Sequence, residues 1–174
     1  MHYIVVALKS EAQAFVDLYK LQKSKLDGYT LFSNESLKLI VSGIGVQNAR
    51  VATQTLINHF DITDEDSYYN IGICGASAVY EIGSLLEIGS IEYKEILYTF
   101  NETKAKIVCV DEEVSENHFD IVDMESYGFY DAVVHNPAIQ NFYIYKLVSD
   151  HFEPHTVTKE KTKTLIFQAL KEIF

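Results

Sequence analysis

Tryptophan is absent from this chain, and cysteine, methionine and proline occur only twice each. The two thiols, Cys74 and Cys109, form neither a CxxC pair nor a ligand-spaced set with histidine. They are expected to be buried and reduced, not part of a disulfide framework. The six histidines are scattered, with no HExxH and no Cys/His cluster, so no metal is expected. Positive charge is also scarce: 14 Lys and Arg stand against 25 Asp and Glu, a net charge of -11. Such a chain repels phosphate backbones and anionic lipid at long range, so neither nucleic acid nor a membrane is expected as a partner. No apolar run reaches the roughly 20 residues needed to span a bilayer, and the start, Met1 to Lys9, lacks the pattern of a signal peptide. A cytoplasmic location is the expectation. No repeat, low-complexity stretch or linker divides the chain.

What remains is 174 residues with 48% hydrophobic content, enough for the core of one domain over residues 1–174. Tyr3 to Leu8 is a continuous apolar, β-branched run, the pattern of a strand buried on both faces. Ser10 offers a helix cap with Gln13 three residues on, and Ala12, Phe15, Val16 and Tyr19 recur at helical spacing. Tyr29 to Ser33 and Leu37 to Val41 read as a hairpin. Gln47 to Phe60 reads as a helix and Tyr68 to Ile73 as a strand. Further strands are expected at Ile88 to Leu97, Lys106 to Val110 and Asn141 to Val148, with helices at Met124 to Val134 and Thr158 to Phe174. This alternation predicts an α/β fold: a mixed, largely parallel central sheet with helices on both faces.

In such sheets ligands collect beyond the carboxyl ends of strands. Polar residues follow apolar runs at Glu11, Ser42 to Gly45, Gly72 to Ala76 and Ser149-Asp150, and Asp123-Met124-Glu125 begins a helix. Taken singly, each has a structural explanation: Glu11, Asp123 and Glu125 suit helix N-termini, and Asp150 suits a loop cap. Gly43-Ile44-Gly45 is too short for a dinucleotide fingerprint, and no Walker lysine follows.

Their joint order is more specific. Ile4-Val5-Val6-Ala7-Leu8-Lys9-Ser10-Glu11 resembles the opening of the methylthioadenosine/S-adenosylhomocysteine nucleosidases, within the nucleoside phosphorylase and nucleosidase superfamily. Leu39 to Ala49 is similar to the glycine-rich turn of that superfamily, and Asn70 to Ala76 to its next strand end. Val122-Asp123-Met124-Glu125-Ser126 resembles its ribose-binding segment, and Lys146-Leu147-Val148-Ser149-Asp150-His151 its catalytic strand end. The resemblance implies a purine nucleosidase of nucleoside phosphorylase-like fold, without cofactor, that forms a homo-oligomer, most simply a dimer. By the same resemblance Asp150 would protonate the purine at N7 and Glu11 would orient water. Glu125 would accept the ribose hydroxyls, Met124 would pack on the sugar, and Gly45, Gly75, Ser149 and Lys146 would shape the pocket. For Lys146, a strand-end lysine reaching solvent and a role in placing Asp150 are both open; for His151, an exposed loop position is expected.

Two alternatives accompany this reading. A phosphorylase would need a phosphate site, for which Lys9, Arg50 and Lys146 are the available cations. A binding protein without catalysis is the other, because the stretch from Ile91 to Asp123 is shorter than in the family, where it carries an extra helix and a loop covering the base. Acidic residues near Glu113 stand where a base-stacking aromatic is expected, leaving Phe100 and Phe119 as substitutes. Ile73 occupies the place of a supporting serine, and Ser90 follows Gly89 where a Gly-Asp pair would continue.

Overall fold

The computed structural model of the chain describes residues 1–116 and 118–174. The first half runs β1 (His2–Val6), α1 (Lys9–Tyr19), β2 (Gln22–Leu26), β3 (Tyr29–Ser33), β4 (Leu37–Val41), α2 (Val46–His59) and β5 (Ser67–Ala76). The second runs β6 (Leu85–Tyr93), β7 (Ile96–Thr99), β8 (Ala105–Cys109), β9 (Ile121–Asp123), α3 (Ser126–Val134), β10 (Asn141–Asp150) and α4 (Lys159–Ile173), with a single 3-10 turn at Pro154–Thr156.

The β-branched run of β1 is buried because it lies between β4 and β5, parallel to both. Successive side chains of a strand leave on opposite faces. Val5 therefore joins Leu56 of α2 and Phe129 of α3 in one core cluster, whereas Ile4 and Val6 join Phe15 of α1 and Ile166 of α4 in another. Helices cover both faces, as expected. Helices α2 and α3 approach so closely that a Cβ on Gly128 would stand 2.0 Å from the Val46 carbonyl oxygen; only glycine permits that crossing.

Beyond β4 the expected hairpin with β3 forms, and β2 adds an edge strand that the sequence did not announce. Its first four residues, Gln22 to Lys25, are exposed, so it carries no buried alternation to read. On the other side of β1 the sheet closes on itself. Strand β5 pairs with β10, β10 with β6, β6 with β8, β8 with β9, and β9 returns to β5. Among the described residues five pairings are parallel and five antiparallel. The sheet is mixed, and the expected predominance of parallel pairs does not appear. The β2–β3–β4 meander, the β6–β7 hairpin and the ring-closing pairings β10–β6 and β5–β9 supply the antiparallel half.

Other boundaries also moved. The expected strand Ile88 to Leu97 breaks into the hairpin β6–β7 at Lys94-Glu95, whose φ angles of 50° and 65° form a two-residue turn without the usual glycine or asparagine. The helix expected from Met124 starts at Ser126, because Asp123 accepts the Glu125 and Ser126 amides and holds Met124 and Glu125 in a bend before it. Ser10 does not cap α1, which begins at Lys9. Thr158 does cap α4, accepting the Lys161 amide at 3.2 Å. Cys74 and Cys109 are free and buried. Among the described residues no helix is long and apolar enough to cross a membrane.

Candidate functional site

The carboxyl ends of β1, β5 and β10 and the β9–α3 junction open onto a cavity of about 270 Å³. It is lined by six of the residues singled out from sequence: Glu11, Gly75, Met124, Glu125, Ser149 and Asp150. Gly45 and Lys146 lie behind its wall, each bonded to an acidic residue of the lining.

Glu11 sits at the third position of α1, and its carboxylate folds back over the helix start. Oε2 accepts the Ala7 amide at 2.9 Å and the Leu8 amide at 2.8 Å, and Oε1 accepts the Ile73 amide at 3.0 Å. The cap position falls on Leu8 rather than the expected Ser10, and Glu11 bonds back to its amide as the third helical residue of a capping box does. Gly72 makes room for it, since a Cβ there would lie 2.9 Å from Oε1. Burial pushes the Glu11 carboxyl upward from its ordinary pKa, opposed by the three amides and by Lys146.

Lys146 overturns both sequence expectations. It is 1% exposed, and its Nζ lies 2.8 Å from Asp123 Oδ2 rather than in solvent or on Asp150. Asp123 is fully engaged, for Oδ1 also accepts the Ser126 hydroxyl at 2.6 Å. Burial alone would discharge Lys146; Asp123, Glu125 and Glu11 outweigh it and raise its pKa. Glu125 accepts the Gly45 amide at 3.0 Å, which ties the glycine-rich turn to the β9–α3 junction. Burial drives Glu125 up to about 7, against the pull of Lys146. The floor of the cavity therefore groups three carboxyls around one lysine.

Across from them, β10 carries a bulge: Val148 pairs with Cys74 and Asp150 with Gly75, leaving Ser149 as the extra residue. Neighbours on a regular strand face opposite ways; the bulge lets Ser149 and Asp150 both line the cavity. The Ser149 hydroxyl is 3.1 Å from the Cys74 carbonyl and 2.6 Å from Asp150 Oδ2. With one hydrogen it donates to Asp150 when that group is ionised, or to Cys74 while Asp150 donates to it. The arrangement accommodates both protonation states. Asp150 Oδ1 accepts the Glu153 amide at 2.9 Å, fixing the carboxyl plane. His151 is half-buried, with Nδ1 3.0 Å from the Ala76 carbonyl, and is not the exposed loop histidine expected.

The remaining side of the cavity is formed by Val110, Glu113 and Val114. None of its described lining residues is aromatic. Phe100 packs against Tyr130 and Phe142, and Phe119 is not among the lining, so neither serves as the expected stacking ring. No helix lies between Ile91 and Asp123 among the described residues. The cations proposed for phosphate are also placed elsewhere: Lys9 is exposed outside this cavity, and Arg50 pairs with Asp131 at 2.8 Å. Sequence reasoning missed the apolar neck of Leu8, Ile44 and Val157, which carries no polar signal, and the Lys146–Asp123 pairing, which no spacing announces. Among the described residues no His, Cys, Asp and Glu cluster is arranged to hold a metal.

No protein-family model matches the sequence, and comparison with curated proteins gives no match. Solved structures do match. The 5′-methylthioadenosine/S-adenosylhomocysteine nucleosidase of Helicobacter pylori, bound to butyl-thio-DADMe-Immucillin-A, is 14% identical with a TM-score of 0.79, over 99% of this chain and 95% of that one. The Streptococcus pneumoniae (S. pneumoniae) nucleosidase with a transition-state inhibitor is 17% identical with a TM-score of 0.78, over 99% and 96%. The futalosine hydrolase of H. pylori is 13% identical with a TM-score of 0.79, over 99% and 94%. The chain thus has the nucleosidase-type α/β fold that its sequence resemblance implied.

Proposed function

We propose that this protein is an N-ribosyl hydrolase that cleaves the glycosidic bond of an adenosine-like nucleoside, of the methylthioadenosine or S-adenosylhomocysteine type. The observation that carries the reading is the charge of the cavity floor: Glu11, Glu125 and Asp123 surround one buried lysine, and Asp150 stands on the wall beyond. Departure of a purine leaves positive charge on the ribose, and preorganised carboxylates stabilise it without reorganising. Asp150, backed by Ser149, supplies or shares the proton at N7 of the leaving base. Glu11, pinned by three amides, orients the attacking water, and Glu125 accepts the ribose hydroxyls beside Met124. Gly75 leaves space before Asp150, and Gly45 and Lys146 hold Glu125 and Asp123 in position.

The same charge opposes phosphorolysis. No cation lines the cavity among the described residues, and Lys146 is committed to Asp123, so an incoming phosphate meets carboxylates without a clamp. No cofactor enters this scheme; phosphate would be required only by a phosphorylase. The deciding experiment is chromatographic detection of free base from methylthioadenosine, S-adenosylhomocysteine, adenosine and inosine, each with and without phosphate. Release without phosphate is expected. Phosphate-dependent release with ribose 1-phosphate would establish a phosphorylase, and saturable binding without any release would establish a binding protein.

The proposal extends to a homodimer. Ile44, Ile96, Leu97 and Val134 are 53%, 55%, 56% and 47% exposed, and apolar exposure of this kind fits self-association. Sedimentation should give a dimer that dissociates on dilution; a concentration-independent monomer would remove this part.

A further inference from the structure

The cavity holds more negative charge than a neutral nucleoside calls for. Five carboxyls line it, those of Glu11, Glu113, Asp123, Glu125 and Asp150, and no lysine, arginine or histidine does so among the described residues. Lys146, behind the wall, pairs with Asp123 and neutralises one of them. Two of the others are not consumed by the fold. Glu125 is 8% exposed, and its Oε1 accepts the Gly45 amide while Oε2 has no partner among the described residues. Glu113, on the loop after β8, is exposed and pairs with no cation among the described residues. Burial raises the proton affinity of Glu11 and Glu125, so protons supply part of the positive charge that the walls lack.

A ligand that carries its own positive charge takes the place of those protons. On a nucleoside that charge belongs in the base, beside the bond to be broken: a purine alkylated at N7, or a pyridine bound through its ring nitrogen, is a permanent cation. We propose that the cavity also binds nucleosides whose base is such a cation, and hydrolyses them. Water adds to the anomeric carbon as the C1′–N bond breaks. The electron pair of that bond passes to the ring nitrogen and cancels the charge of the base, and the proton of the water passes by Glu11 to solvent. The base departs neutral, so Asp150, the acid for a neutral purine, here contributes charge alone. Glu113 adds to the field from the exposed wall without contacting the reacting atoms. The inference rests on the nucleosidase reading for the placement of sugar and water, and it adds a second class of substrate.

The test uses methylthioadenosine, the matched pair adenosine and 7-methyladenosine, and nicotinamide riboside as the pyridinium. Calorimetric Kd and base release, corrected for spontaneous hydrolysis, are measured on the wild type, Glu113→Gln, Glu112→Gln and Asp150→Asn. Glu112 is exposed and outside the lining, so its variant controls for net charge. The wild type should bind 7-methyladenosine about tenfold more tightly than adenosine at low salt, and added salt should narrow that ratio. Glu113→Gln should reduce the ratio by about threefold, the scale of one exposed charge, and Glu112→Gln should leave it. Asp150→Asn should lose release from methylthioadenosine by about 10³-fold and keep most of the release from the two cations. Equal Kd for the matched pair, or cations released no faster than they decay alone, would overturn the inference while release from methylthioadenosine left the nucleosidase reading standing. Equal losses for both classes in Asp150→Asn would overturn the departure of a neutral base. Release from the cations alone would uphold the inference against the adenosine-like reading, and release from none of the four would overturn both.

Discussion

The two ends of the cavity are built in opposite ways. At the end proposed for the sugar, charge is buried and bonded: Glu11 holds three amides, Glu125 holds the Gly45 amide, and Lys146 holds Asp123. At the end proposed for the base, the wall is a loop with Val110 and Val114 half-buried and Glu113 exposed, offering no ring on which a purine could stack. On the proposed reading, chemistry that needs preorganised charge is concentrated where burial makes charge effective, and recognition of the base would fall to Asp150 with little apolar help. This arrangement teaches that turnover and base affinity should respond to different substitutions.

The largest effect is expected at Asp150, the carboxyl at the end of β10 that is proposed to meet the base. Asp150→Asn should lower base release by about 10³-fold, as loss of a general acid does, while the melting temperature stays near that of the wild type. An unchanged turnover rate would refute the role. At the sugar end, Lys146→Met should cost stability instead, about 3–5 kcal/mol, because it strands buried carboxyls without their cation. Denaturant unfolding measures this, and adding Asp123→Asn should recover part of the loss.

A smaller change sharpens the contrast. Gly72→Ala places a methyl against the pinned Glu11 carboxylate, which cannot retreat without losing an amide bond. We expect a stability cost of about 1–3 kcal/mol and a fall in kcat larger than any change in KM. At the open end, Val114→Phe should instead lower KM for a purine nucleoside, by the equivalent of about 1 kcal/mol if the ring stacks on the base. An unchanged KM would place the base elsewhere.

The smallest effect concerns pH. Burial raises Glu125 to about 7 in the folded protein, above its unfolded value, so the folded state takes up protons more readily there. The stability contributed by its protonation is complete below about 4.5 and is lost as pH rises through about 7. Relative to the wild type, Glu125→Gln should therefore be more stable at pH 8, and thermal melts should show that advantage shrinking toward pH 5. A constant difference across that range would show that Glu125 does not titrate between those limits.

Much of the fold was legible because its signals are local. The β-branched run Tyr3 to Leu8 reads as a buried strand, and the helical spacing of Ala12, Phe15, Val16 and Tyr19 in α1 needs one covered face. Where the local signal was weak the reading failed: β2 is exposed and polar, and the Lys94-Glu95 turn uses two left-handed residues of ordinary type. The order of Glu11, Met124-Glu125 and Ser149-Asp150 along the chain marks a candidate site, and these residues line one cavity.

Their orientation was not legible. That Ser149 and Asp150 face the same cavity depends on a bulge, a property of the pairing between β10 and β5 rather than of either segment. Lys146 looked like a surface lysine or a partner of Asp150, and it became a buried cation only because closure of the β5–β10–β6–β8–β9 ring brought Asp123 against it. Sequence alone determined the buried strand β1, the four helices and which polar residues follow the apolar runs, since these are set by neighbours a few residues apart. Tertiary structure decided which charges are buried together and how Asp150 is held, because burial and pairing exist only once distant segments meet.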